Sequence, residues 1–101
     1  MDFNKLDLKG ATVLYFTSSG CQVCNILKPR AKKLLAEKFP KIKLYFIDID
    51  SFPLLAGKYQ IYTVPVVLIL FEGKEFYRKV RNISIAELEK EIERPYRLFF
   101  E

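Results

Sequence analysis

The chain has 101 residues, half of them hydrophobic and 29% charged, a composition that fits one ordinary globular domain with a single core. The complete absence of His excludes every Ser-His-Asp triad, Cys-His nucleophile pair and His-ligated metal site. The net charge of +5 is spread along the chain with no aromatic-basic signature beside it, so no nucleic-acid partner is expected.

Met1 to Gly10 alternates charged and apolar residues and holds no apolar signal-peptide core. The longest apolar run, Val64 to Phe71, is far short of the roughly 20 residues of a spanning helix, so no membrane association is expected. The expected location is the cytoplasm, a reducing compartment where a close Cys pair serves chemistry more often than structure. Ala11 to Phe16 reads as a strand buried on both faces. After the turn-like Ser18-Ser19-Gly20, the residues Val23, Ile26, Leu27, Ala31, Leu34, Leu35 and Phe39 recur at three- and four-residue steps and predict a helix with one core-facing stripe. Pro40 stops that helix, and Pro29 inside it predicts a kink. Lys28, Arg30, Lys32 and Lys33 form its solvated face.

Ile42 to Ile49 reads as a second strand, followed by a short helix from Leu54 to about Tyr59. Pro65 has no N–H to give a ladder, which starts the third strand at Val66 and carries it to Phe71. Glu72-Gly73-Lys74 is a tight hairpin connection to a fourth, antiparallel strand, Glu75 to Val80. Ser84-Ile85-Ala86-Glu87 fits a capping box, with Ile83 and Leu88 at hydrophobic-staple spacing, so the last helix starts at Ile85 and is predicted to end just before Pro95. This order gives an α/β fold: a central mixed sheet of about four strands with a right-handed crossover, flanked by helices on both faces. The single domain spans 1–101, and 95–101 is an apolar C-terminal extension whose Leu98, Phe99 and Phe100 are expected to be covered.

Cys21-Gln22-Val23-Cys24 stands where a buried strand gives way to a helix. A thiolate at that helix start is stabilised by unpaired amide donors and the helix dipole, which lowers its pKa from about 8.5 toward neutrality and makes Cys21 the nucleophile. Cys24, one turn deeper, is in reach to close a ring onto Cys21 and release a mixed-disulfide partner. The same spacing also fits half of a zinc knuckle or an inert buried pair. A zinc site needs about four ligands, so it requires two chains to share one ion.

With these features in order, the chain resembles the thioredoxin family over nearly its whole length. The C-x-x-C follows the first core strand, and Pro29 matches the family's helix-kinking proline. Asp48-Ile49-Asp50 with Pro53, Thr63-Val64-Pro65 and Phe71-Glu72-Gly73-Lys74 resemble the later landmarks. The resemblance implies thiol-disulfide exchange on protein disulfides by Cys21 and Cys24, with no metal and no organic cofactor. It also implies a cis Pro65 beside the pair and a Val64 backbone that binds substrate as an added strand. Electrons are then expected from a reductase like that of thioredoxins or from a low-molecular-weight thiol. The alternative is a non-catalytic binding module that recognises an extended peptide at Val64-Pro65.

The departures from the family are specific. Gly20 stands where an aromatic usually precedes the first Cys, and Gln22-Val23 replaces Gly-Pro, which predicts a less hydrophobic substrate surface with an amide at Gln22. Tyr15 and Phe46 occupy the positions of the family's buried Asp and its partner Lys, which implies slower resolution by Cys24. Arg81 stands where a Gly is frequent, and reads either as a cation favouring acidic substrates or as a solvated surface side chain. By the resemblance, the family's first strand is expected to be missing and Asp2 to Leu8 resembles its first helix, so the edge beside Ile42 to Ile49 is expected to be open. The apolar tail is expected to cover that edge, to lie on a helix, or to join two copies as a homodimer.

Overall fold

A computed structural model of the protein describes residues 6–100. Among the described residues, three helices flank a four-stranded sheet in the order β2-β1-β3-β4. The strands are β1 (Ala11–Thr17), β2 (Lys43–Asp48), β3 (Val66–Phe71) and β4 (Lys74–Val80), and the helices are α1 (Gln22–Lys38), α2 (Pro53–Lys58) and α3 (Ile85–Phe100). β1 runs parallel to β2 and antiparallel to β3, and β3 pairs antiparallel with β4, so the sheet is mixed.

β1 is buried along its whole length because both of its faces are covered. Ala11, Val13 and Tyr15 face a core shared with Cys24, Leu27, Ala31 and Leu34 of α1 and Leu88 and Ile92 of α3. Leu14 and Phe16 point the other way, onto Leu55 and Ala56 of α2. This alternation is the period-two pleat of a central strand. Register then fixes what meets at each end of the sheet. Phe16 lies between Ile47 and Val66, and Val66 is paired with Val80. The loops that follow β1, β2 and β4 and the loop that precedes β3 therefore converge on one end.

Local chemistry accounts for the turns. Glu72 and Gly73 both have positive φ, 52° and 79°, which is the two-residue turn that matches strand twist. Ser84 caps α3 by accepting the Glu87 amide at 3.0 Å, but the Glu87 carboxylate does not complete the reciprocal half of the box. It turns to β4, where it accepts from the Tyr77 hydroxyl at 3.2 Å and pairs with Lys79.

Three expectations are corrected. α3 does not end before Pro95 but continues to Phe100, so most of the expected extension is its last turns. Proline removes one helical donor, and aromatic packing outweighs that loss: Tyr96 meets Phe39 edge-on at 5.0 Å, and Phe99 lies 5.0 Å from Phe71. The tail thus lies against the end of α1 and the β3 terminus. Leu98 nevertheless stays 70% exposed. Val23 and Ile26 are exposed rather than core-facing, because the buried stripe of α1 runs through Cys24, Leu27, Ala31, Leu34 and Leu35. Residues 6–8 are irregular rather than helical, and the rest of the expected first helix lies outside the described residues. α1 continues through Pro29.

Candidate active site

Cys21 and Cys24 are joined as a disulfide with their Cα atoms 5.3 Å apart, at the junction of β1 and α1. Cys21 is the N-cap residue of α1: its backbone is extended, and its sulfur accepts the Cys24 amide N–H at 3.1 Å. Its own amide donates to the Ser18 carbonyl at 3.2 Å, which closes the turn before the helix. No acidic residue stands in the first helical turn, so nothing there opposes negative charge on the capping sulfur. The two sulfurs differ in access. Cys21 is half-buried at the surface, whereas Cys24 is fully enclosed by the α1 side of the core.

The Val64–Pro65 peptide is cis, Pro65 is buried, and Val64 borders the same core cluster as Cys21. The Pro65 carbonyl accepts the Arg81 amide at 2.9 Å, tying the loop after β4 to the loop before β3. Arg81 and Asn82 both adopt left-handed φ, 57° and 47°, a conformation that Gly takes without strain. The Arg81 side chain is exposed. Gly20 and Gln22 flank Cys21 at the surface, and a side chain built at Gly20 would enter open space. All the residues singled out from the sequence thus lie on the elements that meet at this one end of the sheet.

Beneath the pair, the Tyr15 hydroxyl donates to the Cys24 carbonyl at 3.0 Å, and burial pushes the phenol up to about 12. At neutral pH it is a protonated donor and no base. Its register partner on β2 is Phe46, whose ring meets it edge-on at 5.4 Å. Among the described residues, no cluster of three or more Cys, Asp or Glu side chains is placed to hold a metal ion.

Sequence reasoning missed the exposed apolar side chains around the pair. Val23 and Ile26 form a ridge one helical turn long beside the disulfide, and Tyr62 is 86% exposed just before the cis peptide. The surface expected to be less hydrophobic therefore has apolar groups at other positions. The available signal was that Cys24 itself takes a place in the buried stripe, which turns Val23 and Ile26 outward. Lys28 was also missed: it is half-buried, with Nζ 5.1 Å from the centroid of the Phe46 ring.

A family model described as Thioredoxin matches residues 2–94. Thioredoxin-like protein YdfQ of Bacillus subtilis (strain 168) is 37% identical over 86 residues, covering 85% of this chain and 76% of that one. The thioredoxin of Chlamydia trachomatis serovar D is 32% identical over 71 residues, 70% of this chain and 69% of its own. The solved structure of thioredoxin 1 from Thermosipho africanus TCF52B superposes with a TM-score of 0.79 at 30% identity, over 86% of this chain and 96% of that one. Fold, Cys pair and relatives agree, and the chain belongs to the thioredoxin family of thiol-disulfide oxidoreductases.

Proposed function

We propose that Cys21 attacks protein disulfides and that Cys24 resolves the mixed disulfide so formed. The observation that carries this division of labour is the asymmetry of the pair: the Cys21 sulfur caps the helix at the surface, and Cys24 is wholly buried behind it. A helix-start sulfur held by an amide donor is the one favoured as thiolate and leaving group. Substrate lies along the Val64 backbone above Pro65 as an added strand, with Gly20 and Gln22 on one side and Arg81 on the other. The open space at Gly20 and the fixed position of Arg81 beside the Pro65 carbonyl support that path.

A thioredoxin acts with disulfide substrates and a source of electrons. For this chain the source is a thioredoxin-reductase-like enzyme or a low-molecular-weight thiol, in the cytoplasm, where such donors keep the pair reduced. No helix among the described residues is long and apolar enough to cross a membrane. A second copy joins through the end of α3, a reading supported by the exposed Phe76, Leu98 and Phe99 around one apolar groove of about 420 Å³.

The test is substrate trapping. A Cys24→Ser variant is expected to accumulate mixed disulfides through Cys21, and Cys21→Ser to accumulate none and to lose turnover. Trapping by Cys21→Ser alone would reverse the assignment. Undiminished partner binding by Cys21→Ser, with no turnover in the parent, would instead establish the non-catalytic binding module.

A further inference from the structure

Lys28 follows Cys24 by one helical turn, so the two side chains leave the same face of α1 with Cβ atoms about 5–6 Å apart. The residue is half-buried and its ammonium is seated on the Phe46 ring, and Phe46 in turn supports the Tyr15 ring that bonds Cys24. Among the described residues, no carboxylate lies within ion-pairing distance of Lys28. The two side chains stacked beneath the pair, Tyr15 and Phe46, are aromatic, and neither holds a charge at neutral pH. The cation comes instead from the helix that carries the thiol.

We propose that Lys28 is a positioning residue that stabilises the Cys24 thiolate, supplying from α1 the charge that Tyr15 and Phe46 do not. In the resolving step Cys21 is bonded to a substrate sulfur, and Cys24 gives up its proton to water. The Cys24 sulfur attacks the Cys21 sulfur; the Cys21–Cys24 bond forms, the Cys21–substrate bond breaks, and the electron pair leaves on the substrate thiolate, which then takes up a proton. Negative charge must therefore form on a buried sulfur, which burial disfavours. A unit cation within about 10 Å, at the effective dielectric of a partly buried site, offsets that by about one pKa unit.

The other polar groups of the surrounding elements do not replace it. Tyr15 on β1 is neutral, Lys32 on α1 is exposed, and the loop residues Val64 and Pro65 carry no charge. Asp48, on the Phe46 side of β2, accepts the Asp50 amide at 2.8 Å. Arg81 is exposed beyond the cis peptide.

The test uses a Cys21→Ser background, in which Cys24 is the only thiol, and follows the ultraviolet absorbance of its thiolate against pH. Lys28→Gln is expected to raise the midpoint by about one unit, tenfold less thiolate at a fixed pH below it. Lys28→Arg should restore the midpoint, and Phe46→Leu, which keeps the cation but removes its seat, should fall between. With both cysteines present, single-turnover resolution by Lys28→Gln at neutral pH should fall about threefold, since a more basic thiolate is also a better nucleophile. Thermal melts of each variant separate this from loss of fold. An unmoved midpoint in folded Lys28→Gln, or the same midpoint for Gln and Arg, would overturn the proposal.

Discussion

Replacing Tyr15 by Phe removes a single hydroxyl from the floor of the site and separates its structural role from any chemical one. The side chain is 1% exposed and the hydroxyl makes one neutral hydrogen bond, to the Cys24 carbonyl. Losing it is expected to cost about 1 kcal/mol, or a melting temperature lower by about 4–8 °C in a domain of this size. The penalty should depend on pH. The phenol titrates near 10.0 when unfolded and at about 12 when folded, so as pH rises the unfolded chain loses its proton first. The stabilising contribution is complete below about pH 10 and is lost toward about pH 12, at a limiting slope of about 1.4 kcal/mol per unit. Near pH 11 the loss equals the hydrogen-bond gain, and parent and variant should be equally stable. Urea unfolding of the disulfide forms, in which neither Cys titrates, measures this directly. Tyr59 and Tyr77, also raised by burial, are common to both proteins and cancel in the difference. Resolution at neutral pH should stay within about twofold of the parent, because a phenol that titrates at about 12 is no base there. A hundredfold loss of resolution would refute the structural role of the hydroxyl, and a stability difference constant from pH 8 to pH 11 would refute the burial argument.

Arg81→Gly relieves a left-handed backbone by about 1 kcal/mol and keeps the amide bond to Pro65, so the variant should melt a few degrees higher. At low salt its rate on acidic disulfide peptides should fall severalfold while neutral peptides are unaffected; equal losses on both would make Arg81 a solvated side chain only. Light scattering is expected to give a mass of two chains for the parent and one for Leu98→Glu, with unchanged helix content; a single-chain mass for both removes the tail-mediated dimer.

Much of the fold was legible because it is encoded over a few residues. Pro65 sets the start of β3, Gly73 allows the turn after Glu72, and Ser84 places the first turn of α3, each through a backbone requirement that one side chain meets. The end of α3 was not legible. Pro95 is a local stop signal, and the contacts that override it come from Phe39 and Phe71, which lie far away in the chain. The exposure of Val23 and Ile26 was hidden for a related reason. A helical period shows which residues share a stripe but not where the stripe is centred, and here Cys24 helps to set the centre.

The site divides along the same line. The Cys pair and its capping geometry follow from four consecutive residues, whereas the floor beneath it depends on the parallel register that sets Tyr15 beside Phe46. That register makes the departures interdependent. A Lys at position 46 would bring a second ammonium against Lys28, where Phe46 now offers Lys28 an aromatic face. An Asp at position 15 would lose both the edge contact with Phe46 and the hydroxyl that reaches Cys24. The ring at 15, the ring at 46 and the cation at 28 therefore work as one set. Restoring only the Asp or only the Lys would place a buried charge beside groups arranged for its absence, at a cost that each change made alone would incur.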